Sequence, residues 1–246
     1  MEILDGVEML EIQIEAFGGH QELNPTLIWD GTTAVLIDTG TPGQLQQIRK
    51  AMNDTGVPFD KLKAIILTHQ DIDHIGSLPE ILKESDSQIE VYAHEADKPY
   101  IEGKLPLSKA NLDSMAWQLE GLSENIRQEI VAQVNNSPRG RVDKTLFGGE
   151  ELPFCGGIQV IFTPGHTPGH ISLYLKRSKT LVAGDSMYSV EGVLHGPHSP
   201  STPDMDTAYH SITKYLDFDI ENVICYHGGL SKDNVKTQLK NIVEKS

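Results

Sequence analysis

Apolar residues along the chain switch between two periods. Positions 9 to 14 alternate apolar with polar, as on a half-buried strand, and Thr26-Leu27-Ile28-Trp29 and Ala34-Val35-Leu36-Ile37 flank a turn at Asp30-Gly31. This predicts an opening meander of β-hairpins. Leu45, Ile48 and Met52 then recur at helical spacing between Pro42 and Gly56. Ala64-Ile65-Ile66-Leu67 is a continuous apolar run rich in β-branched residues, as expected of a strand covered on both faces. A helix over 78–83 and a strand over 90–93 follow.

Between about 100 and 141 the pattern changes to polar helix formers carrying Leu112, Met115, Leu119, Ile126, Ile130 and Val134. This predicts a helical insertion, suited to capping a pocket or to decorating the surface. Strands return at 158–162, 171–175 and 180–183, followed by a helix over 207–216, a strand over 223–226 and a last helix from 232 to about 243. Strands and helices fall into two similar halves. The fold class expected is α/β (α+β), with two mixed sheets packed together, helices on the outer faces, and a single domain over 1–246.

Composition narrows the function more than the fold. The chain has 246 residues, 38% hydrophobic and 22% charged, which is ordinary globular usage. A net charge of −15 argues against nucleic acid as a partner, because phosphate-binding proteins carry a basic face. No apolar run approaches the ~18 residues that cross a bilayer. The N-terminus is acidic where a secretory signal would be basic, and the two cysteines, Cys155 and Cys225, offer no disulfide framework. A cytoplasmic protein acting on a small molecule is expected, as monomer or homodimer.

Five of the ten histidines lie among Asp, Gly, Thr and Pro rather than among apolar residues. In Thr68-His69-Gln70-Asp71-Ile72-Asp73-His74, four potential ligands crowd onto a loop that follows a buried strand. Imidazole with carboxylate suits zinc, iron or manganese, and this density exceeds the needs of one tetrahedral ion. Thr163-Pro164-Gly165-His166-Thr167-Pro168-Gly169-His170 adds two histidines directly after a strand, and Asp185 and His227 each follow another. Loops at one edge of packed sheets converge in space, so four strand ends bearing ligands predict one metal centre.

In that order of motifs the sequence resembles the metallo-β-lactamase superfamily, whose signature is His-x-His-x-Asp-His, a Gly-His loop, an Asp and a final His. The resemblance spans about 23 to 229 and includes Leu36-Ile37-Asp38-Thr39-Gly40. It implies an αββα sandwich with two divalent ions at the sheet edge, zinc first and iron or manganese as alternatives. It further implies that His69, Asp71 and His166 hold one ion and Asp73, His74 and His227 the other, with Asp185 bridging. His170 and Asp38 are expected to support ligands rather than bind.

Asp71 stands where the family has its second histidine. The extra carboxylate lowers the net charge of the loaded site, which implies a weaker Lewis acid or a preference for harder ions. The activity expected is hydrolysis of an ester, lactone or thioester by metal-activated water, with Asp73 moving the proton. Tyr188 and His195, on a long loop after Asp185, are candidate donors to the substrate. Two rivals are a mononuclear iron dioxygenase of thiols or persulfides, built on His69, His166 and Asp185, and a non-catalytic metal-stabilised scaffold.

Overall fold

The apolar runs form the centres of two sheets in a computed structural model that describes residues 2–16, 19–85, 89–109 and 123–244. The first half runs β1 (Glu2–Leu4), β2 (Val7–Met9), β3 (Ile12–Ala16), β4 (Gly19–Leu23), β5 (Thr26–Trp29), β6 (Ala34–Ile37), α1 (Leu45–Asp54), β7 (Leu62–Ile66), α2 (Ile72–Ile75), α3 (Leu78–Glu84), β8 (Glu90–His94), α4 (Lys98–Ile101), α5 (Glu124–Asn135) and β9 (Lys144–Leu146). Seven of its strands form one sheet in the order β1-β2-β5-β6-β7-β8-β9, antiparallel as far as β6 and parallel from β6 to β9.

The second half runs β10 (Glu151–Leu152), β11 (Ile158–Phe162), β12 (Ile171–Leu175), β13 (Thr180–Gly184), β14 (Tyr188–Val190), β15 (Val193–His195), α6 (Met205–Thr213), β16 (Asn222–Cys225), β17 (Gly229–Ser231) and α7 (Val235–Val243). Its six-stranded sheet has the order β10-β11-β12-β13-β16-β17, with β13 and β16 parallel.

Alternation along the strands decides the layering. Val35, Ile37, Ala64 and Ile66 turn toward the second sheet and pack with Val160, Leu173, Val182 and Ile224. Their neighbours Leu36 and Ile65 face the other way, onto Ile48 and Met52 of α1 and Ile81 of α3. On the far side Leu181, Ala183, Val223 and Cys225 pack against Ile212 of α6 and Leu239 of α7. Both sheets are therefore covered on both faces, in the order helix, sheet, sheet, helix, which is why the central strands read as unbroken apolar runs.

Several local expectations need correction. The predicted strand over 9–14 is two strands, β2 pairing with β5 and β3 with β4, because the in-register bond from Leu10 N–H to the Pro25 carbonyl at 2.8 Å cannot be returned by a proline, which has no N–H. Asp73 and His74 ride on the short helix α2 rather than on the ligand loop, since Asp71 stands at its N-cap position and its carbonyl accepts from His74 and Ile75 at 2.9 and 3.0 Å. The stretch after Asp185 is the hairpin β14–β15, paired from Tyr188↔His195 to Val190↔Val193, and not an open loop. Strand β17 was not foreseen, its three residues being too short a pattern. In the insertion, α4 and α5 are helical, whereas Leu112, Met115 and Leu119 lie outside the described residues.

No described helix is long and apolar enough to cross a membrane. Cys155 and Cys225 are both buried and free. Burial pushes the Cys155 thiol up to about 12 and raises that of Cys225 further, with the Asp185 carboxylate adding to the effect. Neither thiol is expected to react with a disulfide reagent in the native chain, while both react after unfolding, a difference read by thiol titration with and without denaturant.

Candidate metal centre

The parallel strands β6, β7, β13 and β16 end at one edge of the sandwich, and each is followed by part of the site. Asp38 follows β6, the His69 loop and α2 follow β7, Asp185 follows β13, and His227 lies two residues beyond β16. The turn between β11 and β12 adds His166 and His170. Both sheets thus contribute. At this edge Leu23, the last residue of β4, forms a bridge with His227, and Asn24, just ahead of β5, donates from both its backbone and side-chain N–H groups to the Tyr226 carbonyl at 3.1 Å.

All seven residues predicted as ligands meet here. His69, Asp71 and His166 form one group whose ligand atoms lie within 4.8 Å of one another, and Asp73, His74 and His227 form a second. In the first, Asp71 Oδ2 is 3.3 Å from His69 Nε2 and 3.1 Å from His166 Nε2. In the second, Asp73 Oδ2 is 3.8 Å from His74 Nε2 and 3.3 Å from His227 Nε2. Asp185 stands between them: its Oδ2 is 3.3 Å from His166 Nε2 and 3.4 Å from His227 Nε2, while Oδ1 is 3.2 Å from His74 Nε2.

Three of these atoms are close to neighbours without being satisfied. The Nε2 atoms of His69 and His74 and Oδ1 of Asp185 are buried and make no hydrogen bond among the described residues, although the last two are only 3.2 Å apart. Lone pairs aimed at common points rather than at N–H donors are what divalent ions require, and buried polar atoms are otherwise rarely orphaned. The residues therefore fit divalent metal.

The histidines are presented by their other ring nitrogen. His74 Nδ1–H donates to Asp38 Oδ2 at 2.9 Å, His69 Nδ1 lies 3.0 Å from Thr68 Oγ1, and His166 Nδ1 lies 3.3 Å from Thr202 Oγ1. Each bond leaves Nε2 facing the centre. Asp38 itself has a φ of +63°, a conformation costing about 1–3 kcal/mol for a residue with a Cβ. Its carboxylate compensates by also accepting from Thr68 N–H and Thr68 Oγ1, both at 2.8 Å.

His170 is committed elsewhere, which separates it from the candidate ligands. Its Nε2 accepts the Asp185 backbone N–H at 3.0 Å and its Nδ1 faces Thr163 Oγ1 at 2.9 Å. Thr163 continues to Ser172 at 3.1 Å and Ser172 to Tyr215 at 2.7 Å, so a buried polar chain runs from the outer helical layer to the backbone of Asp185. Gly184, with a φ of +56°, makes the contact possible, since a Cβ there would lie 2.7 Å from His170 Nε2.

Charge within the centre is strongly coupled. Burial alone would lower His227, but Asp185 and Asp73 push it up to about 10. Burial would likewise raise Asp185, yet His227, His74 and His166 hold it well below the usual carboxylate range. Burial would raise Asp71, and His69 and Lys109 hold it well down.

Asp97, Gln70 and Lys109 also belong to the site's surroundings, and no pattern in the sequence marks them. Asp97, fully buried, accepts from Gln70 N–H and Nε2 at 3.0 Å each, from Thr167 Oγ1 at 2.7 Å and from Gly169 N–H at 2.7 Å. It clamps the His69 loop to the His166 loop. Gln70 reaches on to Ser108 N–H, which donates to its Oε1 at 2.6 Å, and the next residue, Lys109, enters the first ligand group. The one available signal was Asp97 standing just before Lys98-Pro99, which reads as a helix start and says nothing of partners 27 and 70 positions away. Tyr188 and His195 are not among the converging groups. They stack on each other with ring centroids 4.9 Å apart, in a hairpin tied to the site where Ser189 N–H donates to the His227 carbonyl at 3.1 Å. Replacing Asp97 with Ala strands four buried donors, and a loss of about 3–5 kcal/mol in denaturant unfolding is expected together with reduced metal uptake; Asp97→Asn should recover part of both.

The family model described as the metallo-β-lactamase superfamily matches residues 22–227. A Bacillus subtilis protein named probable metallo-hydrolase YflN is 37% identical over 211 residues, which cover 79% of this chain and 75% of that one. A hydroxyacylglutathione hydrolase of Brucella ovis is 37% identical over 76 residues, 30% of this chain and 28% of that one. Among solved structures, the metallo-β-lactamase family protein TTHA1429 of Thermus thermophilus aligns with a TM-score of 0.74 at 22% identity, over 99% of this chain and 80% of that one. Fold and sequence agree, and the chain belongs to the metallo-β-lactamase superfamily.

Proposed function

We propose that this metal-dependent hydrolase cleaves an ester, lactone or thioester of a small molecule, using two divalent ions held by His69, Asp71 and His166 and by Asp73, His74 and His227, with Asp185 shared. The observation that carries this reading is Asp185 Oδ2 standing 3.3 Å from His166 and 3.4 Å from His227, one carboxylate oxygen facing both groups. The short match to a hydroxyacylglutathione hydrolase supports an acylated substrate. Two buried free thiols suit a reducing, cytoplasmic compartment.

When bound, the ions would supply a water made acidic near neutral pH and a Lewis acid for the carbonyl oxygen. The chain's own residues fix where this chemistry occurs. Asp185 sets the spacing of the two groups, and the bonds from Asp38, Thr68 and Thr202 keep the imidazoles aimed inward. The Asp73 side chain is 30% exposed, more open than Asp71 or Asp185, so it can take a proton from the attacking water and deliver it to the leaving group. Tyr188 and His195 act as one stacked unit beside the His227 loop, from which either can donate to the substrate. Zinc is the first expectation for the metal, and Asp71, a carboxylate where the family has a histidine, makes the harder ions iron and manganese the alternatives.

Elemental analysis of protein purified without added metal should give about two ions per chain, falling toward one in Asp71→Ala; a single iron untouched by that substitution would refute the dinuclear reading. Against a panel of aryl esters, lactones and acyl thioesters, Asp185→Ala should lower kcat/KM by at least about a hundredfold. Full activity in that variant would remove Asp185 from the mechanism. Tyr188→Phe keeps the stack and deletes the hydroxyl, so a fall in kcat at constant KM is the result expected of a donor, and unchanged turnover assigns Tyr188 to packing.

A further inference from the structure

The first ligand group contains a cation of the protein's own. Nζ of Lys109 lies 2.5 Å from Oδ2 of Asp71 and 2.5 Å from Nε2 of His166, donating to both. Its side chain is only 22% exposed. The approach is held in place from behind, because Ser108 N–H donates to Gln70 Oε1 at 2.6 Å and Gln70 is fastened to buried Asp97. In the second group, by contrast, Asp73 draws its ion pairs from His74 and His227 among the described residues.

An ammonium at that point uses the same lone pairs that a metal ion needs, and the two cannot share it. Resting on the metal-centre reading above, we infer that Lys109 is a tethered cation that competes with the metal ion for Asp71 and His166, which makes the first site the weaker of the two and the loading sequential. A lysine suits this exchange. Its charge is compact and its four-carbon stem is flexible, so it can satisfy Asp71 and still swing away without moving the backbone fixed by Gln70. The ammonium also offsets the extra negative charge that Asp71 brings to a site built elsewhere from imidazoles and shared carboxylate.

The test is a titration of Zn²⁺ into the chelator-stripped full chain, read by competition with a chromogenic chelator, for the wild type, Lys109→Met, Lys109→Arg and Lys104→Met. Lys104 lies on the same segment and pairs with Glu102 at the surface, so its variant removes one charge without touching the site. Lys109→Met should bind the weaker ion about tenfold more tightly and the tighter ion as before, while Lys109→Arg and Lys104→Met keep the wild-type difference. With chelator present, Lys109→Met should also melt below the wild type, because Asp71 loses its counter-charge. Equal affinities in Lys109→Met and wild type, or equal tightening in Lys109→Arg, would overturn the inference and leave the metal centre standing; no zinc uptake by any of these chains would overturn both.

Discussion

Three carboxylates, Asp71, Asp73 and Asp185, share one mostly buried edge of the sandwich, and negative charge at that density persists only beside compensating positive charge. The surroundings are arranged around this constraint. Four imidazoles face the carboxylates at distances of 3.1 to 3.8 Å, and Lys109 closes on the one that the second group does not reach. The same crowding that would destabilise an ordinary core creates a strong demand for cations, which is the property a metal centre uses.

Aiming so many polar side chains at one edge requires a second layer of fixed bonds. Asp38 takes the unused nitrogen of His74, and His170 takes the backbone of Asp185. Asp97 binds the two loops that carry His69 and His166, and Gly169 lets it do so, since a Cβ there would come within 2.5 Å of the Asp97 backbone nitrogen. These groups are buried and fully engaged, so they act on orientation and not on the substrate. Their cost in strain and desolvation is offset by the sheets, whose apolar faces are covered on both sides.

Much of this could be read from the chain because the strongest signals are local. The runs at 34–37 and 64–67 are short, apolar and β-branched, and each ends in residues that no core would bury alone. The seven converging candidate ligands lie beyond strand ends, so the direction of the strands places them at one edge. What stayed hidden is what depends on partners distant in sequence. Asp97 meets Thr167 across 70 positions, Lys109 meets His166 across 57, and neither is set in a pattern that distinguishes it from a surface charge. The helix that carries Asp73 and His74 was missed for a different reason: four residues are too few to show a period. The hairpin at 188–195 has the sequence of a loop because its glycine and polar residues resemble an open turn, whereas the ladder that fixes it runs only from Tyr188 to Val190 and back.

The seam where Leu23 and Asn24 meet His227 and Tyr226 joins the stretch from the end of β4 to the start of β5 to the end of β16. Because the ligands themselves come from both sheets, any ion held at this edge acts as a rivet between the two halves as well as a reagent. Peeling one sheet away from the other must then break coordination and backbone pairing in the same event. The lifetime of the protein against proteolysis would consequently depend on how well its metal is supplied, with a starved chain opened and degraded sooner than a loaded one.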